Sequence, residues 1–193
     1  MELNNTFKVR KTLIEMLKDR NYTINNTNEV NFEEFMIMYE ENNYDVVDEN
    51  NKIIGYFFKE HKAFGKKDLE NVVSDIKEKY GNDIRIIIVV KDKYNVSIEK
   101  ELANPFYRNI EIFLFENLTF NITKYKLIPK HIPLNEEEAK KVLEHYKITK
   151  AQIPKMQVKD PVARYYGVKG GTIMKIIRNS PSSGEYVTYR YVR

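Results

Sequence analysis

Residues 157–164 read QVKDPVAR, 165–171 YYGVKGG and 176–191 IIRNSPSSGEYVTYRY. Asp160 before Pro161 is a helix start. The aspartate side chain accepts from the unpaired N–H groups of a first turn, and proline suits the first helical position because its missing N–H would have no partner there. Gly167 ends that short helix. Gly170-Gly171 lacks the lysine pattern of a Walker A loop, so it reads as a turn before a strand rather than a phosphate cradle. Thr172–Arg178 and Tyr186–Val192 then read as antiparallel strands joined by NSPSSGE.

Upstream of this stretch, Ile132 and Leu134 sit on a short strand after Pro129. Asn135 opens a helix, Glu138 completes a capping box, and three glutamates lie at the positive end of its dipole. Ala139, Val142, Leu143 and Tyr146 form the apolar stripe of that helix. Thr149 and Gln152 cap a single turn stopped at Pro154, and Gln157-Val158 is extended. Asn121–Lys126 is polar and reads as a connection between two domains.

The first 120 residues follow a different plan. Phe7–Arg20 is a short amphipathic helix with Leu13, Ile14 and Leu17 on one stripe and Thr6 as its N-cap. The Asn-rich run NYTINNTNEV is a loop. Asn31 and Glu34 form a capping box for a second helix carrying Phe32, Phe35, Met36 and Tyr39. Asp45–Val47 and Ile53–Phe58 make a hairpin around DENN. Asp68–Tyr80 is helical, with Leu69, Val72, Val73 and Ile76 inward and Gly81 as its stop. Ile84–Val90 (IRIIIVV) is too apolar for a one-sided strand and is expected at the centre of a sheet covered on both faces. Ser97 caps a short helix ending before Pro105, and Ile110–Phe115 is the last strand. The fold class is therefore α+β, with an N-terminal α/β domain at 1–120 and a small mixed-sheet α+β domain at 121–193.

The 193 residues contain no cysteine, which excludes disulfides and thiolate metal sites. No run approaches the roughly 20 apolar residues of a membrane span, and the N-terminus has an acidic residue at position 2 and no secretory h-region. The net charge of +4 is uneven: residues 129–193 hold 13 basic against 6 acidic residues, the rest 19 against 22. A segment at +7 suits nucleic acid or an acidic protein surface.

His61, His131 and His145 are isolated, and a zinc site would have to draw on distant carboxylates. No cofactor is implied. Ser180, Ser182 and Ser183 belong to no nucleophile elbow. Gly55–Lys67 (GYFFKEHKAFGKK) interleaves basic and aromatic residues, so Lys59, Lys62, Lys66 and Lys67 are candidate DNA-phosphate contacts, while Phe57 and Phe58 are expected in the core. A nuclease of the restriction-endonuclease type needs an acid and then acid-x-Lys on the next strand to hold a divalent metal. Here Phe57 stands at the acid position before Lys59, and Phe113 stands where the lysine should follow Glu111.

The wording of the last third resembles the C-terminal domain of the fifth-largest subunit shared by eukaryotic nuclear RNA polymerases, a domain that forms a whole small polymerase subunit in archaea. The resemblance begins at Leu127-Ile128-Pro129-Lys130-His131, runs through Asn135–Glu138 and Gln152-Ile153-Pro154, and is strongest at Asp160–Gly167. It continues through Ile176-Ile177-Arg178, Ser180, Gly184 and Tyr186–Arg190. Two departures stand out: Gly170 replaces a basic residue common after Lys169, and Asn179–Ser183 replaces the usual Pro-Ser-Glu-Thr-Ala.

The archaeal counterpart lacks a first domain, so the N-terminal half resembles the eukaryotic version: a jaw domain with a restriction-endonuclease-like fold and no active site. The resemblance implies a non-catalytic polymerase subunit. Its C-terminal assembly domain docks on the largest subunit, and its first domain forms part of the lower jaw beside downstream duplex DNA, with weak, non-specific contact. Asp160, Pro161, Arg164, Tyr165, Tyr166, Gly167, Arg178, Tyr186, Tyr189 and Arg190 are the assembly residues implied. Arg164, Arg178 and Arg190 are either anchors on a partner's carboxylates or members of internal ion pairs. A free-standing DNA-binding transcription regulator is the alternative, and a metal-dependent nuclease the one after it. The bias towards Asn, Ile, Lys and Tyr is that of an AT-rich genome. Together with the divergent first domain and the short chain, it leaves two sources open: a large DNA virus, with the viral factory or virion as the place of action, and a rapidly evolving eukaryote, with the nucleus.

Overall fold

The computed structural model describes residues 2–24, 30–50, 52–60, 62–180 and 184–193, with Ser180 described by its backbone only. The middle of the Asn-rich loop (25–29), Asn51 of DENN, His61, and Pro181, Ser182 and Ser183 lie outside the described residues. The chain forms two compact units, Met1–Phe120 and Asn121–Arg193.

The first unit contains helices α1 (Glu2–Asp19), α2 (Phe32–Glu40), α3 (Lys66–Tyr80) and α4 (Val96–Leu102). Its strands are β1 (Val46–Val47), β2 (Ile53–Phe58), β3 (Arg85–Val90) and β4 (Ile110–Leu114). The sheet order is β1-β2-β3-β4; β2, β3 and β4 run parallel and β1 is antiparallel to β2. Ile86 to Val90 are all buried, as a central strand covered on both faces requires. On one face Ile54, Phe58, Ile86, Ile88, Val90 and Ile112 pack with Leu69, Val72, Val73 and Ile76 of α3. The alternate residues of β2 face α1, where Leu13 lies against Gly55.

Capping chemistry predicts most helix ends. Asn31 accepts from the Glu34 amide at 2.8 Å, and Glu34 accepts in return from the Asn31 amide at 3.0 Å. Gly81, at φ 95°, stops α3 with its N–H on Lys77 O. Two caps were misplaced by the sequence pattern. Helix α1 begins at Glu2, and Thr6 is buried inside it with its hydroxyl donating to Glu2 O at 3.1 Å. Ser97 lies within α4, whose N-cap is Asn95. Met36 of α2 is 40% exposed and stands outside the core.

The second unit contains β5 (Lys130–Pro133), α5 (Glu136–Tyr146), β6 (Lys155–Met156), α6 (Pro161–Tyr165), β7 (Ile173–Ser180) and β8 (Gly184–Val192). Its sheet order is β5-β7-β8-β6, with β6 parallel to β8. The extended pair expected at Gln157-Val158 lies two residues earlier, at β6; the Val158 amide still donates to Arg193 O. Helix α6 covers one face of this sheet through Val162, Ala163, Met174 and Val192, and α5 covers the other through Ala139, Leu143 and Ile173.

Asn121–Lys126 is not a bare connection. Asn121 is buried; its Nδ2 donates to the Tyr165 hydroxyl at 2.9 Å and its Oδ1 accepts from the Thr123 amide at 2.9 Å. Asn121→Ala removes both interactions at once and is expected to destabilise the second unit by about 1–3 kcal/mol. A urea titration of the purified variant checks this; an unchanged midpoint would show the contact to be dispensable.

Candidate assembly surface

Helix α6 is built as the Asp-Pro dipeptide dictates. Asp160 Oδ1 accepts from the Val162 amide at 2.9 Å, Pro161 occupies the first turn, and Gly167 turns out at φ 61°. Tyr165 is only 3% exposed and is a core residue, with Tyr166 edge-on to it at 5.3 Å. Asp160, Pro161 and Gly167 thus set the ends of α6 at the edge of the unit, and Tyr165 anchors it in the core. Arg164 is half-buried at the end of the same helix.

Strand alternation sorts the remaining residues. Cross-strand partners share a face, and the register pairs Arg178 with Tyr186 and Met174 with Arg190. Arg178, Tyr186 and Arg190 thus lie on the α6 face, and all three are exposed. Among the described residues neither Arg178 nor Arg190 is ion-paired with a carboxylate. Tyr189 falls on the opposite face under α5, with its ring 5.9 Å from that of Tyr146.

His131 pairs with Ile176 across β5 and β7, which puts it on the same face as the arginines. Its Nδ1 lies 2.7 Å from the Pro129 carbonyl, a contact in which the ring nitrogen must donate. Burial holds the imidazole below its ordinary value of 6.5, and Arg178 and Arg190 push the same way, against the Pro129 hydrogen bond and the Asp160 charge. A histidine depressed in the folded state binds fewer protons there than in the unfolded chain. Its contribution to stability is complete above the unfolded value and is lost as pH falls from near 6.5 through the folded value. Urea midpoints are expected to fall across that window, with a shallower slope in His131→Gln; an equal slope in both proteins would contradict this.

The candidate DNA lysines sit in the first unit. Lys62 pairs with Glu60 at 2.6 Å and Asp68 at 2.9 Å, and Lys66 pairs with Glu101 at 2.7 Å. Lys59 bonds the Asn42 carbonyl and lies 4.8 Å over the Tyr44 ring. Only Lys67 of the four is exposed without a carboxylate partner among the described residues. Sequence reading missed a second cationic edge, where Lys77 Nζ lies 4.1 Å over Phe106, which is 64% exposed. Its signal was the bulky aromatic directly after Asn104-Pro105.

Glu111, the carboxylate tested for nuclease chemistry, is gripped by Arg20 in a two-pronged contact of 2.9 and 2.8 Å. Phe57 and Phe113 are buried at the positions where an acid and a lysine would be needed. Among the described residues no group of three His, Asp or Glu could hold a metal ion. Nor is any described helix long and apolar enough to cross a membrane.

Comparison with known proteins bears on both units. The family model described as RNA polymerase Rpb5, C-terminal domain, matches residues 120–192. The chain is 34% identical over 194 residues to DNA-directed RNA polymerases I, II, and III subunit rpabc1 of Dictyostelium discoideum, covering 98% of each chain. It is 31% identical over 212 residues to subunit RPABC1 of Caenorhabditis elegans, covering 100% of this chain and 97% of that one. To DNA-directed RNA polymerase subunit 5-like protein 1 of Arabidopsis thaliana it is 32% identical, covering 98% and 96%.

Proposed function

Because this chain belongs to the Rpb5 family, whose named members are subunits of DNA-directed RNA polymerases I, II and III, we propose that it is a non-catalytic structural subunit of a multi-subunit RNA polymerase. The observation that carries this reading is similarity along the whole chain, 34% identity with 98% of each protein covered, rather than over one domain.

In this reading the second unit, 121–193, is the assembly domain. Its exposed Arg178, Tyr186 and Arg190 offer two guanidinium forks and an aromatic ring to carboxylates on the largest subunit. The first unit, 1–120, is the lower-jaw domain beside downstream duplex DNA. Its contact with phosphates is weak and non-specific, because Lys62 and Lys66 are engaged by carboxylates and Lys67 is left to meet the backbone. The Arg20 grip on Glu111 supports a scaffold rather than a metal-dependent catalyst. The place of action is wherever the polymerase works: the nucleus of a cell, or the viral factory for a virally encoded chain.

Co-expression with the largest polymerase subunit of the same source tests the docking. The two are expected to co-elute in near-equal amounts, with Arg178→Glu plus Arg190→Glu weakening capture by about tenfold or more. Elution of the chain by itself would overturn the proposal. Metal-dependent DNA cleavage lost in Glu111→Gln would replace it with the nuclease reading.

A further inference from the structure

A cavity of about 380 Å³ opens in the first unit beyond the carboxyl ends of the three parallel strands. Lys59, Lys91 and Phe115, the residues directly following β2, β3 and β4, all line it. This is the end of a parallel sheet where ligands settle in open α/β folds, and the volume lies within the range of roughly 300–1,000 Å³ typical of small-molecule sites. Two further elements close the crevice: the start of α1, through Glu2 and Thr6, and the exit of α2, through Tyr39, Asn42 and Tyr44.

The groups gathered there have complementary chemistry. Tyr39 and Tyr44 are stacked, with ring centres 5.4 Å apart and 22° between planes. Lys59 Nζ stands 4.8 Å over the Tyr44 ring and also bonds the Asn42 carbonyl. Asn42 holds a left-handed backbone, φ 55°, of the kind found at tight turns and functional sites. Lys91 grips the carboxylate of Glu2, which also accepts from the Tyr39 hydroxyl at 3.4 Å. Glu2 is thus a tethered anion, half exposed, seated between an ammonium and a phenol at the mouth of the cavity.

We infer that this crevice binds a mononucleotide, with its ring extending the Tyr39–Tyr44 stack and its phosphate displacing the Glu2 carboxylate from Lys91 within reach of Lys59. Every polar group needed is present without the ligand, and the exchange replaces a carboxylate by a phosphate of greater charge. Stacking on aromatic side chains does not discriminate strongly between bases, so the site selects ring plus phosphate rather than one base. Such binding would stand whether or not the chain assembles with a polymerase.

Titration of the full-length chain with AMP, and separately with adenosine and inorganic phosphate, tests it by calorimetry and by shifts of the Tyr39 and Tyr44 ring resonances. AMP is expected to bind more tightly than either fragment. Lys91→Ala and Lys59→Gln should each weaken it about tenfold, and Glu2→Gln, which removes the competing charge, should tighten it. The thermal transition of each variant is recorded alongside, so that a change in affinity in a variant still folded at the titration temperature reports the site. The inference is overturned if AMP fails to bind, binds no better than phosphate, or binds equally to the parent and all three variants.

Discussion

Arg10→Met is expected to destabilise the first unit by about 3–5 kcal/mol, the cost of removing one member of a buried charge cluster. Arg10 is 2% exposed within α1, and its Nε donates to the Tyr44 carbonyl at 3.1 Å. Burial pushes the guanidinium down to about 10, with the Asp45 charge opposing the shift, so it stays ionised at neutral pH. Burial also raises the Asp45 carboxyl, against the Phe57 amide and the nearby charges of Lys59, Lys79 and Arg10. Methionine fills much of the same volume, which makes the missing charge and the missing donor to Tyr44 O the main losses. Adding Asp45→Asn removes the compensating charge and is expected to recover part of the deficit. Thermal and urea unfolding of the single and double variants measure this; a single variant within about 0.5 kcal/mol of the parent would show the cluster to be unimportant.

Gly55→Val carries the second large effect, a loss of about 1–3 kcal/mol or more by overpacking. A Cβ at Gly55 would stand 2.5 Å from Leu13 Cδ2 and 3.3 Å from its Cγ. Turning the methyl group away relieves only the first contact, and Leu13 is fully buried with little space to move into. Helix α1 would have to lift from the sheet. The remedy lies in the same pair: Leu13→Ala, which by itself costs about 2–5 kcal/mol through its cavity, should be less harmful when combined with Gly55→Val. Additive losses in the double variant would refute this account of how α1 seats on β2.

What the sequence disclosed was local. The capping boxes at Asn31 and Asn135, the Asp160-Pro161 start and the two-sided burial of 86–90 all depend on residues within a few positions of each other. Thr6 and Ser97 misled because a hydroxyl that caps a helix can also bond backwards inside one, as Thr6 does to Glu2 O. The two-residue β6 carried no periodicity to detect. Distant pairings were invisible: Arg20 meets Glu111 across 91 positions, Arg10 meets Tyr44 across 34, and Lys66 finds Glu101 across 35. Those pairings also decide which candidate cations are engaged within the chain. The same holds for the candidate assembly residues, ten in all, which divide only when register puts Arg178, Tyr186 and Arg190 on one face and Tyr189 on the other.

The most direct measurement is affinity purification of the tagged chain from its native source, with quantitative mass spectrometry of what accompanies it. A polymerase subunit is expected to bring the two largest polymerase subunits in amounts near its own. Recovery of the chain without them from a native lysate would contradict the account and leave free-standing DNA binding or cleavage to be tested in its place.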